Sequence, residues 1–110
     1  MSYESIVATV VKAVPELGPA LAEHIDDNDE VLPHLFFGCD VVPFVLAAWK
    51  AGEADVVRRC LDVLEAALAS SDERTRELVS VSFVESIGPW EPDVQPFVAT
   101  WPERLAREAC

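Results

Sequence analysis

Residues 72–90, DERTRELVSVSFVESIGPW, carry the choice between a helical and a strand-based architecture. Ser70-x-x-Glu73 fits a capping box, in which a hydroxyl accepts from an orphan amide and an acid answers three residues later. Asp72, Glu73 and Glu77 place negative charge near the positive end of a helix dipole. Gly88 suits the left-handed conformation that closes a helix, and Pro89 cannot continue one. Between these signals lie Leu78, Val79, Val81, Phe83, Val84 and Ile87, separated mainly by Ser80, Ser82 and Ser86. At helical spacing the apolar residues spread over several faces, so the predicted helix lies buried between neighbours.

A strand competes for the same residues. Val79–Phe83 alternates with period two, and β-branched side chains favour strands. The run nevertheless belongs to a capped segment of roughly sixteen residues, whereas strands usually span about five or six. Helix is therefore predicted.

Outward from this stretch, residues 53–69 form the clearest amphipathic pattern. Val56, Val57, Cys60, Leu61, Leu64, Ala67 and Leu68 recur at three- and four-residue intervals, with Asp55, Arg58, Arg59, Asp62 and Glu65 opposite. Asp55 can pair with Arg58 or Arg59 on the surface. The turn at Ser70-Ser71 is short, which predicts antiparallel neighbours. Upstream, Asp40 caps a helix whose first turn tolerates Pro43 and which ends at Ala51-Gly52.

Nearer the N-terminus, Ile6, Val7, Val10, Val11 and Val14 mark one helix, with Ser2 or Ser5 as its cap. Pro15 opens another, with Leu17, Leu21 and Ile25 on its buried side and His24 near its end. The polar stretch 26–30 and the following VLPHLFFG read as a loop, with one helical turn as an option within it, tied down by Leu32, Leu35 and Phe36. After Pro89 come a rigid turn, a short helix over 93–99 and, from the second capping box Thr100-x-x-Glu103, a last helix ending near Ala109. The whole predicts an all-α, single-domain bundle of about six helices over residues 1–110, or a short stack of helical hairpins.

Composition narrows the function. Half of the 110 residues are hydrophobic, which argues against disorder. No apolar run approaches the roughly twenty residues that span a bilayer, and no signal peptide is expected. Three cysteines, Cys39, Cys60 and Cys110, have no metal-type spacing, so reduced thiols in a cytoplasmic protein are expected. The net charge of −12 argues against nucleic acid and anionic membranes and permits a basic protein partner.

Motifs for chemistry are sparse. His24, Asp26, Asp27, Asn28, Asp29, Glu30 and His34 offer many ligand atoms. A calcium loop needs a glycine at its turn and a glutamate at its twelfth position, and neither fits here. The two histidines lack the spacing that puts paired ligands on one helical face. There is no nucleophile elbow, phosphate loop or dinucleotide fingerprint. No cofactor and no metal are expected. Trp49, Trp90 and Trp101 lie near helix ends, where aromatic rings cover a core and turn their N–H outward. Trp90, pinned between Pro89 and Pro92, is the best placed to anchor a partner.

Through DNDEVLPHLFFG at 27–38 and SFVESIGPW at 82–90, the chain resembles a family of small bacterial proteins of unknown function. The resemblance implies an all-helical fold, a loose association with the immunity partners of toxins, and proximity of the 27–38 and 88–90 segments. It implies no catalytic residue. The residues and the resemblance together predict a non-enzymatic module that binds a basic protein through Asp26, Asp27, Asp29, Glu30, His34 and Trp90. The alternatives are a metal-assisted or acid–base enzyme built on His24, His34 and the neighbouring acids, and a self-associating protein forming a homodimer.

Overall fold

A computed structural model describes residues 1–109, and Cys110 lies outside them. Among the described residues there are seven helical segments and no strand. Residues 79–84 are helical, as their caps require.

Helix α1 (Ile6–Ala13) buries Ile6, Val7 and Val10. A 3-10 turn at Pro15–Leu17 leads into α2 (Gly18–Asn28). That turn advances three residues per turn, not 3.6, and so resets the helical phase. Leu17 stays buried, but Ile25 is 40% exposed and His24 takes the inward position. Ile25 is therefore not part of the buried side.

The acidic stretch also departs from expectation. α2 runs through Asp26, Asp27 and Asn28, so these three are helical and only 29–32 is loop. The helix stops where Asp29 turns left-handed at φ 59°, with its amide on the Ile25 carbonyl at 2.8 Å. Aspartate is one of the few non-glycine residues that tolerate this conformation.

Residues 33–50 form one continuous helical segment. It consists of α3 (Pro33–Phe36), a π-helical turn at Phe37–Val41, and α4 (Val42–Lys50). The predicted loop through Gly38 and the cap at Asp40 are thus replaced by helix. Pro43 explains the π turn. It has no N–H for the carbonyl four residues back, and its ring crowds that carbonyl. The ladder widens, and the Val42 amide reaches the Phe37 carbonyl, five residues back. Phe36 and Phe37 anchor the segment, whereas Leu35 is 42% exposed.

Helix α5 (Ala54–Leu68) buries Val57, Cys60, Leu61, Leu64 and Ala67, the predicted face. Gly52, at φ 77°, makes the bend that precedes it. α6 (Glu73–Glu77) continues into a π-helical stretch, Leu78–Glu85. Its N-cap is Asp72, not Ser70. The Asp72 carboxylate accepts from the Arg74 amide at 3.1 Å, the Tyr3 amide at 2.8 Å and the Thr75 hydroxyl at 3.0 Å. The single Ser80 hydroxyl proton is shared between the Arg76 carbonyl, four residues back at 3.2 Å, and the Glu108 carboxylate at 2.7 Å. The contact with Arg76 competes with the backbone amide for the same acceptor and favours the wider ladder.

Short helices α7 (Gln95–Val98) and α8 (Glu103–Glu108) complete the chain. The Thr100 capping box does not form, and the Thr100 hydroxyl bonds the Phe97 carbonyl instead. Glu65 of α5 does the capping, accepting from the Arg104 and Leu105 amides at 3.1 and 2.9 Å. α5 packs against α1, α4, α6 and α8, while 78–85 packs against α3, the 37–41 turn, α5 and α8. Leu78, Val79, Phe83 and Val84 are all buried in it. Trp101 is buried against Phe83 and Phe97, and its indole N–H has no partner among the described residues, contrary to the outward N–H expected. The radius of gyration of 13.0 Å is that of a globule of this length.

Candidate interaction surface

The end of α2 concentrates charge. Between Lys12 and Lys50 the chain has no lysine or arginine, and seven acids: Glu16, Glu23, Asp26, Asp27, Asp29, Glu30 and Asp40. Arg59 reaches over to pair with Glu16, and Asp40 faces His24 at 4.0 Å. Asp26, Asp27, Asp29 and Glu30 are exposed, and none is in an ion pair among the described residues. The left-handed turn at Asp29 folds Glu30 and Val31 back from the helix end.

A shallow cleft of about 350 Å3 opens here, lined by Glu23, His24, Asp27, Asn28, Leu35, Cys39 and Asp40. Leu35 supplies an exposed apolar patch among carboxylates. Such a site takes a cationic side chain by its charge and its aliphatic stem together.

The two histidines serve separate structural contacts. His24 is buried, and its Nε2 accepts from the Leu32 amide at 3.0 Å, which puts the ring proton on Nδ1, towards Asp40. Asn28 braces the same corner by donating to the His24 carbonyl at 2.8 Å. His34 turns the other way. Its Nδ1 lies 2.5 Å from the Ser82 hydroxyl, and its ring lies 6.1 Å from that of Tyr3, over which the Arg74 guanidinium stacks at 4.1 Å. Among the described residues, no three of the His, Cys, Asp and Glu side chains are placed to hold a metal ion.

The predicted site is therefore divided. Asp26, Asp27, Asp29 and Glu30 share the end of α2, and Asp27 joins Glu23 and Asp40 at the cleft. His34 belongs to the Tyr3–Ser82 contact instead. Trp90 is 65% exposed in the turn after Gly88, and a Cβ on Gly88 would sit 3.8 Å from the indole. No hydrogen bond, ion pair or ring contact joins Trp90 to residues 26–34 among the described residues. Pattern alone gives Asp40 a cap role and Leu35 a core role. The absence of any lysine or arginine between Lys12 and Lys50 is the signal that points to this face.

Burial pushes the Cys60 thiol up to about 12, which leaves it protonated at neutral pH. Cys39 is free and exposed beside the acidic cleft. Among the described residues no helix is long and apolar enough to cross a membrane.

Across residues 7–109 the chain matches a family described as a domain of unknown function, DUF7674, and it belongs to that family. No curated protein and no solved structure matches it.

Proposed function

We propose that the chain is a non-enzymatic protein-binding module whose α2 end grips a basic partner. The observation that carries this reading is the set of four unpaired carboxylates, Asp26, Asp27, Asp29 and Glu30, beside a cleft where Leu35 sits among Glu23, Asp27 and Asp40. Carboxylates left without internal partners lose nothing internal when an incoming cation approaches. Charge of one sign speeds encounter, and the apolar anchor sets the lifetime of the complex. Trp90, stiffened by Gly88 and Pro89, offers a second anchor of the kind that dominates interfaces.

The finer form of the proposal is an immunity protein that neutralises a basic toxin, such as a nuclease, in the bacterial cytoplasm. The acidic surface disfavours nucleic acid and anionic membranes as partners. The test uses the tagged chain and a D27K/D29K/E30K variant as parallel baits in extract of the host. A basic protein enriched by the native chain and lost from the variant supports the proposal. Equal recovery on both baits, or no basic protein on either, refutes it.

A further inference from the structure

A second cleft, of about 550 Å3, opens between α8 and the 73–85 segment. That volume suits a small organic ligand. Three of the chain's eight bases, Arg76, Arg104 and Arg107, meet here in a protein of net charge −12. Both walls carry both signs, with Arg76 between Glu73 and Glu77 on one and Glu108 beside Arg107 on the other. Arg104 and Arg107 stand three residues apart on one face of α8, and Glu73 and Glu77 stand four apart on the facing helix. Leu68 and Val81 add apolar wall, and Val81 is 42% exposed.

The frame around these groups is set by contacts across it. The Ser80 hydroxyl donates to Glu108 at 2.7 Å, fixing the spacing of the two walls. Arg76 is anchored on the Ser70 carbonyl at 2.6 Å. Arg104 and Arg107 each meet one carboxylate through one nitrogen, Glu65 at 3.8 Å and Glu103 at 2.5 Å. A guanidinium carries five N–H donors in a fork, so one such contact does not exhaust it. A simple anion in this cleft meets Glu73 and Glu77, and a simple cation meets the arginines. A molecule with both charges satisfies both walls.

We propose that this cleft binds an amino acid or short peptide as a zwitterion, its carboxylate on Arg104 and Arg107, its ammonium towards Glu73 and Glu77, and an aliphatic side chain against Leu68 and Val81. The test follows the arginine Nε–Hε and backbone amide signals by two-dimensional NMR. The probes are leucine and glycyl-leucine, with acetate and ethylamine as single-charge controls. Saturable shifts at Arg104 and Arg107 with leucine, glycyl-leucine or both, roughly tenfold tighter than with either control, support the site. Which of the two saturates distinguishes a free amino acid from a peptide as the source. E77Q, a change on an exposed helix face, is expected to weaken the zwitterion and leave acetate unaffected. No saturation with either zwitterion overturns the proposal, and so does acetate binding as tightly as leucine.

Discussion

The ring of His34 meets the hydroxyl of Ser82 at 2.5 Å across 48 positions of sequence. This bond ties the start of the 33–50 segment to the middle of the buried 78–85 stretch. Beside it, Gly38 and Ser86 approach closely enough that a Cβ on Gly38 would sit 3.8 Å from the Ser86 hydroxyl. The segments before and after the bond are held in register by these contacts. Ser82→Ala and His34→Ala are each expected to cost about 1 kcal/mol, the usual net worth of one hydrogen bond. The double variant is expected to cost less than the sum, because both changes remove one bond. Urea unfolding of the four proteins measures this, and strict additivity would mean that the pair contributes nothing.

The helical reading of 79–84 makes a mutational pattern that a strand would not. In a strand, Val79, Val81 and Phe83 share one face and respond alike. Here Val79 and Phe83 are fully buried and Val81 is 42% exposed. Phe83→Ala is expected to cost about 3–5 kcal/mol and Val81→Ala no more than about 0.5 kcal/mol, by thermal or urea unfolding.

Two carboxylates make stability depend on acid pH. The Arg59 fork on Glu16, at 2.6 and 3.0 Å, draws that carboxyl from 4.5 to about 2. The same contact raises Arg59 further above its ordinary value. Asp72 is lowered chiefly by the Tyr3 amide, then by the Thr75 hydroxyl. A depressed carboxyl stabilises the fold above its unfolded value and loses that contribution as pH falls through its folded value. The Glu16 contribution therefore fades between about 4.5 and about 2. In E16Q the urea midpoint should fall less steeply over that range than in the native chain, and in D72N less steeply as pH falls below the ordinary aspartate value of 3.8. Glu16 is exposed, so high salt should shrink its difference.

Thiol chemistry gives a direct readout of packing. In a C110S background, a disulfide reagent at neutral pH is expected to modify Cys39 within the folded protein. Cys60, buried and raised to about 12, should react only when denaturant opens the chain. Comparable rates for both would contradict the α5 packing.

Much of this architecture is written in local pattern. The α5 stripe, the Gly52 and Gly88 stops and the burial of 78–84 follow from periodicity and backbone chemistry alone. Three features do not. The 33–50 helix hides behind Pro43, whose disruption is absorbed by a π turn instead of ending the helix. Glu65 caps α8 from 39 and 40 residues away, where pattern favours the nearer threonine box, and Asp72 takes the α6 cap from Ser70 while also accepting from the Tyr3 amide 69 residues away. Ile25 and His24 exchange places because a 3-10 turn resets the helix phase. The acids of the candidate surface were legible as composition. Their separation from His34 was not, because only the tertiary bond to Ser82 sets the direction of that ring.

The most direct test of the account is the association rate of the captured basic partner, measured by stopped flow at low and at physiological ionic strength. The native chain should associate faster at low salt, and the D27K/D29K/E30K variant should lose most of that acceleration. Equal rates for the two proteins at both ionic strengths would contradict an acidic α2 end as the gripping surface.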